Sequence, residues 1–238
     1  MVGIGPGSPL DRSRRAEQAI LSSDVVIGYK RYVDLIKDIL KDKITVSSGM
    51  TQEIERCQTA LDFAEEGKTV ALVSSGDAGV YGMAGLVIEL AHQRGSAVPI
   101  EIVPGITAAS AAAARMGAPL MLDFACISLS DLLVPWAIIR ERLEAVARAD
   151  LVVALYNPRS RKRTKQLEEA AEVFRSYRPG TTPVGIATAV GTLDERVLIS
   201  NLDCFLELDI AMRSIVIIGN RSSRLLNGWF VTPRGYHL

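Results

Sequence analysis

Apolar residues in this chain come in short dense runs rather than in strict alternation with polar ones. VVIGY at 25–29, ITVSS at 44–48, TVALVSS at 69–75 and IEIV at 100–103 each bring β-branched side chains together. A strand that is apolar on consecutive positions is covered on both faces, the pattern of a parallel sheet held between helices. Helical patterns separate the runs. One covers Leu10 to Leu21. Another starts behind a candidate N-cap at Thr51, carries Glu53 and Glu55 in its first turn and ends near Gly67. A third ends at Gly95, and an alanine-rich one spans Thr107 to Met116.

At Gly117-Ala118-Pro119 the pattern breaks and a second series opens with FACISLS at 124–130. A helix from Pro135 to Ala149 follows, with proline suited to its first turn. Next come LVVALYNP, a charged helix from Arg161 to Tyr177, and the runs PVGIATAVG, RVLIS and SIVIIGN. No helix separates PVGIATAV from RVLIS, so this half predicts antiparallel pairing. The expected architecture is two α/β domains, residues 1–117 and 118–238, the second with a mixed sheet.

Composition narrows the function classes. With 238 residues, 48% hydrophobic and 23% charged, the chain has material for two cores. A formal net charge of +0 argues against a dedicated nucleic-acid binder, whose footprint is basic. No apolar run reaches the roughly 18–20 residues of a membrane span, and MVGIGPGSP lacks the regions of a signal peptide. Cys57, Cys126 and Cys204 are scattered, as suits reduced thiols in a cytoplasmic protein. His92 and His237 are the only histidines, too few for a histidine-rich metal centre or a conventional triad, and no metal is expected.

Open α/β sheets bind ligands beyond the carboxyl ends of their strands, and four glycine-rich loops sit at such ends. The first, VGIGPGS, departs from the dinucleotide fingerprint. Ser8 stands where the third glycine belongs, Pro6 removes an amide donor, and VVIGYK ends in Tyr29-Lys30 rather than in an acid. The second, SSGDAGVYG, carries a lone carboxylate, Asp77, among glycines. Such a group can accept ribose hydroxyls or an amine, while glycines let backbone approach a flat ring or a sugar. The third is VPGITAAS at 103–110 and the fourth YNPRSRKR at 156–163. No G-x-x-x-x-G-K-[ST] occurs, so there is no P-loop.

Taken together, VGIGPGS, SSGDAGVYGMAG, VPGITAASAAAA and ALYNPRS resemble the tetrapyrrole (corrin/porphyrin) methyltransferase superfamily, over essentially the whole chain. The usual Gly-Asp-Pro of the second loop is here Gly76-Asp77-Ala78. VIGYKRYVDL, EIERCQTALDFA, GAPLMLDFACISLSDLLVPW and the ending TPRGY resemble the branch that methylates C-17 of a corrin precursor, precorrin-3B or cobalt-factor III, with ring contraction. The resemblance implies two α/β domains with the active site in the cleft between them, S-adenosylmethionine as methyl donor, a homodimer, and a place in cobalamin biosynthesis. By motif position it implies cofactor contacts at Gly76, Asp77, Val80, Thr107, Ala108, Tyr156 and Ala189. It assigns the tetrapyrrole to Pro6 and Gly7, and leaves Tyr29, Gly49, Met50 and Asn157 to face it; the basic run with Arg159 and Arg161, otherwise a solvated helix start or an RNA contact, suits its carboxylates.

Methyl transfer from a sulfonium needs alignment more than side-chain chemistry, which agrees with a histidine-poor chain. Ring contraction moves protons as well, and Ser128, Ser130 and Asp131 of ISLSDL are the candidates, with Tyr29 and Glu53 behind them. Each has a structural alternative: Asp131 as a cap for the helix near Pro135, Glu53 as a partner for its helix dipole. Two other function classes stay open on sequence alone. One is a methyltransferase of the same fold acting on a macromolecule, as in diphthine synthase or a ribosomal RNA 2′-O-methyltransferase. The other is a non-enzymatic nucleotide-binding regulator.

Overall fold

The computed structural model describes residues 1–160 and 163–236. Its chain divides into two compact units, Met1–Ala108 and Ala109–Leu238.

In the first unit, β1 (Val2–Gly3), β2 (Val25–Tyr29), β3 (Ile44–Ser48) and β4 (Val70–Ser74) form a fully parallel sheet in the order β1-β4-β2-β3. Helices α1 (Arg14–Leu21) and α2 (Lys30–Asp34) cover one face; α3 (Glu53–Glu65) and α4 (Ala84–Arg94) cover the other. Val26 packs with Ile20, Val33 and Ile36, while its neighbours Val25 and Ile27 pack with Cys57, Leu61 and Val87. Two-sided burial is the reason β2 and β4 lack alternation; β3, at the edge of the sheet, is largely exposed, against the expectation for ITVSS.

Three local expectations fail for identifiable reasons. IEIV forms a single bridge, Val2 to Val103, and no strand; Pro99 and Pro104 flank it and deny it ladder donors. The Leu10–Leu21 pattern splits into a turn of 3₁₀ helix, Pro9–Asp11, and α1, because Ser13 caps α1 through a 3.1 Å bond from Ala16 N. The buried Arg12 just before it forks onto Asp38 at 3.2 and 2.5 Å and reaches Glu17 at 3.2 Å. Thr51 does not cap α3: it is left-handed, with φ of 64°, and its hydroxyl donates to Met50 O. Gln52 holds the N-cap position without a side-chain cap bond; its Oε1 accepts instead from Gly49 N, outside the helix, at 2.7 Å, and its Nε2 donates to Glu55.

The second unit opens with the last eight residues of α5 (Ala108–Met116) and continues through β5 (Gly117–Ala118), β6 (Phe124–Ser128), α6 (Trp136–Arg148), β7 (Val152–Tyr156) and α7 (Lys165–Arg175). β8 (Pro183–Thr188), β9 (Arg196–Asn201), β10 (Ser214–Ile218), β11 (Arg224–Leu226) and β12 (Trp229–Val231) complete it. A five-stranded sheet runs β6-β7-β10-β8-β9. β6 and β7 are parallel, β10 is antiparallel to both β7 and β8, and β9 is antiparallel to β8 as expected from the missing helix. Leu143, Leu155, Leu167, Phe174, Phe205 and Val216 lie in its core.

The division between units falls at 108/109, ahead of the expected 117/118. The alanine helix belongs with the second unit: Met116 packs so tightly on Gly185 that a Cβ there would meet its sulfur at 2.2 Å. The hairpin β11–β12, turning at Asn227 (φ 50°) and Gly228 (φ 85°), and its parallel pairing with β5 were not anticipated from the sequence.

Candidate functional site

All four strands of the first unit point the same way, so their carboxyl ends share one edge. The loops leaving β1 and β4 pair with each other there. Ile4 N donates to Ser74 O at 2.9 Å, and Gly5 and Gly76 exchange amide bonds at 3.1 and 2.7 Å. A Cβ on Gly105 would meet Gly76 O at 2.2 Å, one on Gly3 would meet Gly105 N and Gly76 O at 2.8 Å, and one on Gly82 would meet Ala78 O at 2.3 Å. At these positions the glycines make room for backbone, whereas a Cβ on Gly76 would meet nothing closer than 3.7 Å and one on Gly79 nothing closer than 3.4 Å.

Asp77 organises the same junction. Its Oδ1 accepts from Gly79 N at 2.8 Å and Val80 N at 3.1 Å, and its Oδ2 accepts from Gly105 N at 3.0 Å. A carboxylate offers about four lone-pair sites, so one remains, on Oδ2. Around this braced centre the outward side chains are apolar: Val80 is 36% and Ile106 41% exposed. Gly76 is buried, while Thr107 and Ala108, at the entry to α5, are half-buried. Pro6 and Gly7 follow the paired segment, half-buried, with Gly7 at φ of 150°. Tyr29 ends β2 with its ring edge-on to Tyr32 at 5.1 Å.

The turn after β3 carries Gly49 and Met50, both exposed. It is held from behind by Arg56 of α3, a residue that sequence reasoning missed. The Arg56 side chain donates from Nε to Ser48 Oγ at 2.8 Å, from Nη2 to Gly49 O at 2.7 Å and from Nη1 toward Met83 Sδ at 3.3 Å. Its only sequence signal is an arginine on the face that also carries Cys57, Ala60 and Leu61.

In the second unit β6, β7 and β8 point the same way, and their carboxyl ends bring Ser128, Tyr156-Asn157 and Ala189 to one edge. Tyr156 Oη accepts from Ala109 N at 3.0 Å, satisfying an amide of the first turn of α5. Asn157 and Ala189 both sit in the left-handed region, φ 50° and 53°, which costs about 1–2 kcal/mol for a residue such as alanine. Backbone held this way at strand ends marks geometry imposed by its surroundings.

Asn157 Nδ2 donates to Ser128 Oγ at 3.0 Å, and Ser130 N donates to the same oxygen at 3.2 Å. Both acceptor sites of Ser128 are thereby filled, which leaves its hydroxyl proton to point elsewhere. Asp131 does not cap α6, whose N-cap is Pro135. It accepts from Gln166 Nε2 at 2.9 Å and lies 3.8 Å from Arg163 Nε. Arg163 is the second residue missed. Its side chain, 12% exposed, donates from Nη1 to Leu129 O at 2.9 Å and Asn157 O at 2.6 Å, tying the loops after β6 and β7 together. Burial pulls its pKa below the usual arginine value, against the pull of Asp131. Arg159 lies 3.8 Å from Glu168, and its buried Nε has no hydrogen-bond partner among the described residues. Arg161 lies outside the described residues.

The edges offer backbone donors, short hydroxyls and small apolar surfaces in each unit, a set suited to positioning an uncharged nucleoside or a flat ring. Residues 1–205 match the family model described as Tetrapyrrole (Corrin/Porphyrin) Methylases. A cobalt-factor III methyltransferase of Priestia megaterium is 47% identical over 240 residues, 99% of this chain but 44% of that protein, so the chain spans less than half of this relative. A probable cobalt-factor III C(17)-methyltransferase of Salmonella typhimurium is 44% identical over 238 residues, covering 100% of this chain and 99% of that one. The crystal structure of the methyltransferase CobJ aligns with a TM-score of 0.90 at 36% identity, over 98% of both chains. The paired glycine loops, the parallel first sheet and the mixed second sheet are thus those of a shared fold, and the chain belongs to the tetrapyrrole (corrin/porphyrin) methylases.

Proposed function

We propose that this chain methylates C-17 of a corrin precursor, cobalt-factor III or its metal-free counterpart precorrin-3B, with ring contraction, using S-adenosylmethionine in cobalamin biosynthesis. The observation that carries the proposal is the 44% identity to the Salmonella relative along both chains' full lengths, which takes in every strand-end loop described above.

The residues fit the methyl donor. Bound there, it supplies an electrophilic methyl on a sulfonium that departs as a neutral thioether. The braced loop at Gly76, Asp77 and Val80, with Thr107 and Ala108, offers it a backbone edge, a free carboxylate lone pair and an apolar lip. Tyr156 and Ala189, the remaining positions of that motif set, lie at strand ends of the second unit. Holding donor and acceptor aligned can supply roughly 7–11 kcal/mol of a displacement barrier, with no side-chain base required. The GIGPG loop with Pro6 and Gly7, Tyr29, the Gly49-Met50 turn, Asn157, Arg159 and Arg161 are left for the macrocycle. Ser128 suits the proton movements of ring contraction best of the three candidates, because its oriented hydroxyl has a proton to donate.

The test is an anaerobic assay of both substrates with S-adenosylmethionine. The expected result is one molecule of S-adenosylhomocysteine released per ring methylated, with one substrate strongly preferred; no turnover of either substrate overturns the proposal. Asp77→Ala is expected to weaken S-adenosylhomocysteine binding at least tenfold by calorimetry, about 1.4 kcal/mol. It is also expected to lower stability by about 2 kcal/mol, because three amide donors lose their acceptor. Unchanged affinity removes Asp77 from the cofactor site.

The same reading makes the protein a cytoplasmic homodimer. No described helix is long and apolar enough to cross a membrane. Light scattering is expected to report twice the chain mass of 25.7 kDa, and a monomer mass at micromolar concentration refutes the dimer.

A further inference from the structure

Arg56 is a buried cation without an anion. It is 4% exposed, and every acceptor it reaches is neutral: Ser48 Oγ, Gly49 O and Met83 Sδ. The other deeply buried arginines have carboxylates. Arg12 has Asp38 and Glu17, and Arg178 has Asp150 at 3.5 Å. Among the described residues no carboxylate comes within ion-pair distance of Arg56, and the nearby Glu55 is taken by Gln52. A charge removed from water without a counter-ion is costly, and natural folds keep such groups paired. The guanidinium lies directly behind the Ser48–Met50 turn, whose outer surface is open, with Met50 53% exposed.

We propose that a carboxylate of the tetrapyrrole, seated on the Ser48–Met50 turn, supplies the missing counter-charge, and that Arg56 thereby sets the preference for a polycarboxylate macrocycle. This rests on the reading that the turn meets the macrocycle. Arg56 acts through the turn it holds and is a positioning residue; its charge reaches the ligand across one layer of backbone, where screening by salt is incomplete.

The experiment titrates wild type, Arg56→Gln and Arg56→Lys with a polycarboxylate porphyrin and with the same ring carrying neutral glycol amides, each at low and high salt. S-adenosylhomocysteine binding serves as the control for folding. Arg56→Gln is expected to bind the carboxylate ring at least tenfold more weakly and to flatten its salt dependence. The neutral ring is expected to bind all three proteins alike, and Arg56→Lys to keep most of the preference. Equal losses for both rings mean that Arg56 only shapes the turn and overturn the inference. Should Arg56→Gln not fold, the Nε–H resonance of Arg56 in wild type decides. It must shift with the carboxylate ring and stay in place with the neutral one, and the reverse overturns the inference. Wild type binding neither ring overturns the functional reading, and this inference with it.

Discussion

Gly105→Ala is expected to lower the melting temperature by roughly 10 °C and to weaken cofactor binding about a hundredfold. The added methyl would sit 2.2 Å from Gly76 O and 2.8 Å from both C and O of Gly3. All three atoms are backbone, so no side chain can swing aside. Relief requires pulling apart the loops after β1 and β4, with loss of the Asp77–Gly105 bond. Overpacking of this kind costs about 3 kcal/mol, and a domain of this size loses roughly 2–4 °C per kcal/mol. Gly85→Ala is the control: it lies in α4 with nothing within 4 Å of its Cβ position, and alanine there favours the helix by up to about 1 kcal/mol. Differential scanning calorimetry of the pair checks the prediction. Similar melting temperatures for the two variants would show that the loops yield easily and that their close approach does not shape the site.

The second large effect belongs to Arg163. Arg163→Met should lower kcat about a hundredfold, with a smaller change in KM and little change in S-adenosylhomocysteine affinity. One guanidinium nitrogen holds the carbonyls of Leu129 and Asn157, and Asn157 in turn donates to Ser128. Without it the two loops lose their common tether, and a misplacement of about 1 Å in a positioning element can cost a hundredfold in rate. Arg163→Lys, which keeps a donor able to reach both carbonyls, is expected to recover part of the loss. Steady-state kinetics on the methylated corrin product make the measurement; a wild-type kcat for Arg163→Met removes Arg163 from the positioning machinery.

The strands were legible because burial on both faces writes itself into consecutive apolar residues, as in Val25-Val26-Ile27. The antiparallel β8–β9 pair was legible from the short connection. The strand-end loops were legible as places, though the close packing at Gly3, Gly82 and Gly105 was not. That Gly3, Gly76 and Gly105 fill one another's space depends on three segments far apart in sequence, and no local pattern encodes it. Thr51 misled because its type suits a cap while its backbone, at φ 64°, turns away from one. The β11–β12 hairpin carried an Asn-Gly signal that went unused, between strands only three residues long. Arg56 and Arg163 were invisible for a common reason. An arginine reads as surface, and what draws it inward is a set of carbonyl and hydroxyl acceptors on other elements. Of the arginines in RSRKR, Arg159 and Arg161 were expected to meet substrate; Arg163, outside that pair, carries internal bonds.

The parallel pairing of Gly117 with Phe230 joins residues more than a hundred positions apart. On a ribosome this sets an order of events. Every strand of the first sheet has been made by Ser74, and its unit is complete in sequence at Ala108. At about 5–20 residues per second, β5 then waits on the order of ten seconds for its partner. Since β12 is the middle strand of the sheet β11-β12-β5, neither neighbour has anything to pair with until it emerges. A nascent chain stalled just before Trp229 would carry a finished parallel sheet and an open third one, so the second unit closes only after the first sheet has long been complete.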